Sequence, residues 1–128
     1  MKKRSSKLQF DNNIIDALKS LPAEIEDKRH SIIICFKDDK SRSNETRFEH
    51  IAKKYHELKV RDIKAIPNGI RQYVKYVKSQ KHKETSYYYI KRPSDDRGFI
   101  QIAIKLFKNN KQKAYVKTIY ITHRIQKK

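Results

Sequence analysis

The feature that most constrains this chain is a change of hydrophobic period near residue 80. Upstream, apolar residues recur at helical spacing; downstream they alternate with polar ones, as the two faces of a strand require. Ser86–Lys91, Phe99–Phe107 and Lys113–Ile125 are rich in Tyr, Ile and Val. The turn-forming stretches Pro93–Gly98 and Lys108–Lys111 separate them, which predicts an antiparallel meander. In the middle run Ile100, Ile102, Ile104 and Leu106 form an apolar row, with Gln101 and Lys105 opposite. In the last run Ile119, Ile121 and Ile125 point one way, and Val116, Thr118, Tyr120, Thr122 and Arg124 the other.

The first part of the chain is expected to supply helices. Residues 1–10 read as a basic arm. Asp11 is placed to cap a helix through about Leu21, with Ile14, Ile15 and Leu18 on one side and Pro22 as its stop. Ser31–Phe36 reads as a strand and Lys37–Ser43 as a loop and hinge. From a cap at Asn44, Phe48, Ile51, Ala52 and Tyr55 predict a helix to near Glu57, with His50, Lys53, Lys54 and Glu57 on its other face. A further helix begins near Arg61 and is interrupted at Pro67. Ile70, Tyr73, Val74 and Val77 then give a helical stripe to about Lys78, and residues 79–85 a solvated loop. The expected class is α+β, with N-terminal helices packed on one face of a small C-terminal antiparallel sheet. At 128 residues one core is expected, residues 1–43 joining or accompanying a domain of residues 44–128.

Charge narrows the function. The net charge is +18, and residues 1–43 contribute only +3 of it, so +15 belongs to residues 44–128. Such a field attracts polyanions, and nucleic acid is the commonest inside cells. No apolar run spans a bilayer and no long amphipathic helix stands out, so a membrane partner is not expected. Met1-Lys2-Lys3-Arg4 lacks the following apolar stretch of a signal peptide, which fits a cytoplasmic home. The one cysteine, Cys35, lies in the run Ile32–Phe36 and reads as a buried, inert thiol. Two glycines, Gly69 and Gly98, cannot build a phosphate loop or a dinucleotide fingerprint, so no cofactor is expected. No metal-ligand motif is visible.

The candidate chemistry gathers on the sheet and one helix. Thr118, Tyr120, Thr122 and Arg124 offer phosphate-oxygen donors at alternate positions. His50 on its helix face is the candidate proton carrier, with Lys53 and Lys54 beside it to hold a phosphate. His56 and His123 are second candidates, His123 falling on the apolar face in this register; His30 and His82 read as loop residues. Arg92 ends the run Tyr87–Lys91, where a guanidinium can grip phosphate while a tyrosine such as Tyr89 stacks on a base. Lys91, Gln101, Lys105 and Lys117 complete the expected RNA-binding set.

The order of parts carries a resemblance: Phe48–His56, then Val60–Pro67, then strands with Tyr89-Ile90-Lys91-Arg92, Phe99–Ile104 and Lys117–Thr122. Over roughly residues 45–125 it resembles the phage-associated branch of the barnase/EndoU/colicin/RelE-like (BECR) nucleases. The resemblance implies helices on one face of a small antiparallel sheet and RNA bound on the other and cut without metal. It further implies a toxin, several relatives attacking transfer RNA, and an acidic immunity protein or antitoxin as partner. The helical histidine of the pattern falls on His50, the basic strand residue on Arg92 and the last-strand hydroxyls on Thr118 and Thr122. The acidic general base of the barnase branch has no clear counterpart in this sequence. The expected chemistry is transesterification by the ribose 2′-hydroxyl, with His50 as base or acid, Arg92 and Lys54 steadying the charged phosphorane, and Thr118 and Thr122 orienting the phosphate. Two other readings compete. One is a non-catalytic nucleic-acid-binding or regulatory protein of a phage or mobile element; the other is an interaction protein that keeps the fold as a docking surface.

Overall fold

The computed structural model describes residues 10–42, 44–53, 57–79, 81–82, 84–93 and 96–125. The first helix, α1 (Asn12–Lys19), begins where Asp11 turns its carboxylate onto the amides of Asn13 and Ile14. Its apolar side, Ile14, Ala17 and Leu18, is buried. A strand not foreseen from the sequence follows, β1 (Glu24–Asp27), in which Ile25 and Asp27 point inward and Glu24 and Glu26 outward. It pairs antiparallel with β2 (Ile32–Cys35).

The stretch expected to be loop forms a hairpin, β3 (Lys40–Arg42) with β4 (Glu45–Thr46). Thr46, not Asn44, then caps α2 (Arg47–Ile51): its hydroxyl accepts from the Glu49 amide, and the Glu49 carboxylate accepts from the Thr46 amide. Two short helices follow, α3 (Val60–Lys64) and α4 (Ile66–Arg71). Pro67 sits in the first turn of α4, where its missing N–H costs nothing, so it opens a helix rather than interrupting one. The expected helical stripe through Val77 is overturned. The helix ends at Arg71, and Lys75–Lys78 is strand β5. A run of Val-Lys-Tyr-Val alternates as well as it spirals, and pairing with the next strand decides for the alternation.

The meander is β6 (Thr85–Lys91), β7 (Phe99–Leu106) and β8 (Lys113–Thr122). The sheet has six strands in the order β1-β2-β8-β7-β6-β5, and β2 runs parallel to β8. It is therefore a mixed sheet that draws two strands from the first 43 residues, not a purely C-terminal antiparallel one. The fold is α+β, and residues from all four helices among the described residues share one core cluster with the inward rows of β6, β7 and β8.

A bulge changes one expected face. Ile104 pairs with Val116 and Ala103 with Thr118, so Lys117 is the extra residue. The shift in phase turns Val116 into the core, while Thr118, Tyr120 and Thr122 keep the outer face.

The sheet also curls. In a flat sheet β1 and β6 would lie about 19 Å apart, four strand spacings. Yet Tyr88 on β6 donates to the Asp27 carboxylate on β1 at 2.5 Å. α4 fills the space between, and Gly69 lies so close to Ile90 that a methyl group there would overlap it.

Candidate active site and nucleic-acid interface

α2 brings His50 into an acid–base pair. Its Nδ1 lies 3.0 Å from Glu45 Oε2 on β4, and Lys53 Nζ lies 3.4 Å from the other oxygen of the same carboxylate. Burial pushes the Glu45 carboxyl up, but the His50 hydrogen bond and the Lys53 charge outweigh it and hold it below the usual carboxylate range. A carboxylate so placed fixes the imidazole ring. His50 remains 23% exposed and reachable.

Arg47 fixes this helix against the sheet. Its guanidinium donates to Asp39 at 2.9 Å, donates at 3.4 Å to the carbonyl of Lys117 at the β8 bulge, and lies 5.2 Å over the Tyr115 ring. Arg47 thereby holds α2, the helix that carries His50, at the bulge of β8.

On the outer face, Gln101 Nε2 donates to the Tyr120 hydroxyl at 2.6 Å, leaving the Tyr120 proton free to point outward. Burial, then the neighbouring Tyr87 and Tyr89, raise the Tyr120 phenol and keep it protonated. Thr118, Lys105 and Lys117 are half-buried, and Lys91 and Arg124 are exposed. Tyr89 and Gln101, in the same row as Tyr120, are themselves buried and not exposed for contact. Thr122 donates to the Arg124 carbonyl at 3.0 Å and closes the end of β8. Lys54 and His56 lie outside the described residues.

Arg92 is placed differently from the expectation of an exposed phosphate grip. It is buried, its Nε and Nη2 donate to the two oxygens of fully buried Asp62 at 3.0 and 2.8 Å, and its Nη1 donates to the Arg97 carbonyl at 2.9 Å. The fork is fully engaged and ties α3 to the end of β6. Beside it, His123 is exposed in the bend after β8 and pairs with Glu57 at 3.1 Å; the strand has ended, so alternation no longer orients it. Gly98, at φ +90°, admits the Thr122 carbonyl and the His123 ring where a Cβ would collide.

Two functional groups escaped sequence reasoning. Glu45 and Arg47 reach their partners through the β3–β4 hairpin and the β8 bulge, neither of which leaves a periodic signal. The second group surrounds Asp27, which is buried. Its carboxylate accepts from Tyr88, and from Tyr73 at 3.3 Å, and lies 3.1 Å from His30 Nδ1. Burial and the Asp27 charge push the Tyr73 phenol up to about 12. His30, expected in a loop, does sit in a turn, but its ring lies 4.0 Å from that of Tyr76. His82 is exposed in a bend.

Cys35 is buried, and burial followed by Glu24 raises its thiol, the direction of low reactivity. Among the described residues no three metal-type donors converge, and no helix is long and apolar enough to cross a membrane. Comparison with protein-family profiles, with curated proteins and with solved structures found no match to this chain.

Proposed function

We propose that this chain is a metal-independent endoribonuclease of the BECR kind, a toxin that cuts transfer RNA or another cytoplasmic RNA. The observation that carries the reading is the His50–Glu45 pair, on a helix that Arg47 fixes at the bulge of β8. His50 takes the proton of a ribose 2′-hydroxyl, and that oxygen bonds to the adjacent phosphorus. The bond from phosphorus to the 5′-oxygen breaks, and the departing oxygen recovers the proton from His50. The products are a 2′,3′-cyclic phosphate and a 5′-hydroxyl. Glu45 orients the ring and balances its charge while the proton is held. Lys53, and Lys54 next to it in sequence, supply positive charge to the phosphorane, and Thr118 and the Tyr120 proton orient its oxygens. Glu45 takes the place of the acidic partner that the sequence pattern lacked, as an orienter rather than as the base.

The excess of cations supports capture of RNA and, in turn, inhibition by an acidic partner that covers the same surface. A non-catalytic RNA-binding protein is the competing reading, and the burial of Arg92 against Asp62 favours it, because the expected phosphate grip is occupied.

The two separate on turnover. Purified protein incubated with total RNA in EDTA should give discrete fragments. His50→Ala should cut about 10²–10⁴-fold more slowly, the usual contribution of a positioned acid–base group. Glu45→Gln should slow cleavage less than His50→Ala does, because the amide oxygen can still accept from the ring. Salt-sensitive binding with no fragments would refute the nuclease.

A further inference from the structure

Where β7 turns into β8, the outer face of the sheet ends in a pocket of 580 Å³. That volume falls within the range of about 300–1,000 Å³ typical of small-molecule sites. Lys105 on β7, Tyr115 on β8 and Cys35 on β2 form one row across three strands and contribute to its lining. The row lies on the face that carries Thr118 and Tyr120, since Ile104, Val116 and Ile34 beside it all point into the core.

The pocket combines three chemistries. Phe107 and Tyr115 stand with ring centroids 5.4 Å apart, tilted by 48°, and both are half-buried, so part of each ring is open. Four lysines line it against one acid, Glu24, and Lys113 takes that acid at 3.1 Å. Lys37, Lys105 and Lys108 have no acidic partner among the described residues. Three cations held together without an anion repel one another, and a polyanion relieves that repulsion. At the tip of the turn, Asn110 uses its oxygen on the Gln112 amide at 2.9 Å, whereas exposed Asn109 makes no side-chain hydrogen bond among the described residues. Its amide offers a donor and an acceptor together, the pattern that reads a base edge.

We propose that this pocket seats one unpaired nucleotide of a single-stranded RNA. The base lies against Phe107 and Tyr115, its edge meets Asn109, and its phosphates rest on Lys37, Lys105 and Lys108. Aromatic platforms beside lysine clusters hold single strands in this way. Arg47 over the Tyr115 ring joins the pocket to the helix of His50, so a strand leaving it along β8 passes the acid–base pair. The pocket thus selects the nucleotide flanking the cut; this last point rests on the nuclease reading, whereas the binding site does not.

The test titrates the full chain, by backbone amide NMR, with the four nucleoside 5′-monophosphates and separately with inorganic phosphate at matched ionic strength. At least one nucleotide should shift Phe107, Asn109 and Tyr115 saturably and bind more than tenfold tighter than phosphate. Phe107→Ala should weaken it by about tenfold, the effect of losing one stacking ring. Lys108→Ala, on the exposed turn, should weaken it too and guards against a folding defect in the first variant. Equal affinity for phosphate and nucleotides, or no shifts at these residues, would overturn the proposal. RNA cleavage with nucleotide preference unchanged in Phe107→Ala would overturn the selecting role and leave the nuclease standing. Nucleotide binding without cleavage of any RNA would overturn the nuclease, and the selecting role with it, and leave the binding site standing.

Discussion

Asp62 and Arg92 show how a charge survives without water. The Asp62 carboxylate accepts two bonds from the Arg92 fork and a third, at 2.9 Å, from the Lys59 amide that opens α3. Removing one partner strands the other, so Asp62→Ala should destabilise the protein by about 3–5 kcal/mol, measured as a shift in the urea unfolding midpoint. A midpoint that moves by less than about a tenth of its own value would contradict the buried pair. The tyrosines at Asp27 behave differently because there the neutral form is the one favoured. Tyr73 ionises near 10 when unfolded, and burial with the Asp27 charge raises it to about 12 in the fold. The unfolded chain therefore sheds the proton first, and stability, complete below pH 10, should fall as pH rises from about 10 to 12. Tyr73→Phe should flatten that limb in denaturant titrations monitored by phenolate absorbance; an unchanged slope would contradict the assignment.

At the scale of elements, close packing explains what the sequence does and does not reveal. The meander was legible because β7 carries four inward aliphatics at period two, and each neighbour repeats the pattern. The α1 cap at Asp11 was legible because it acts on amides two and three residues away. β1 was hidden: Glu-Ile-Glu-Asp holds a single aliphatic residue, too little to show alternation, and Asp27 finds its tyrosines only across the curled sheet. β5 was mistaken for helix because Ile70, Tyr73 and Val77 recur at spacings of three and four, a helical period that pairing with β6 overrides. Of the site, His50 and the β8 hydroxyls were visible as residue types on a face. Glu45 and Arg47 were not, since a hairpin and a bulge set their contacts. Packing also assigns Gly69 its role: α4 meets β6 there with no room for a methyl group. Gly69→Ala should cost about 1–3 kcal/mol in thermal or chemical unfolding, although alanine is the better helix former. A stabilised variant would show that α4 packs more loosely than described.

Across the whole molecule the sheet has two uses. Its inward side gathers the described helices into one core, and curling brings β1 within reach of β6. Its outer side presents hydroxyls, lysines and the Phe107–Tyr115 pocket, with the His50 helix along the edge of β8 where pairing with β2 stops at Tyr115. The arrangement gives a basic surface with His50 at its margin, and on the proposed function this histidine makes RNA attack itself. The most direct measurement compares two synthetic single strands, one all RNA and one identical except for a single 2′-deoxyribose at the nucleotide cut in the first. Cleavage at that site in EDTA should vanish in the substituted strand, and mass spectrometry of the unsubstituted one should find a 2′,3′-cyclic phosphate on the upstream fragment. Cutting of the deoxy-substituted linkage, or an upstream fragment ending in a plain 3′-hydroxyl, would contradict the account.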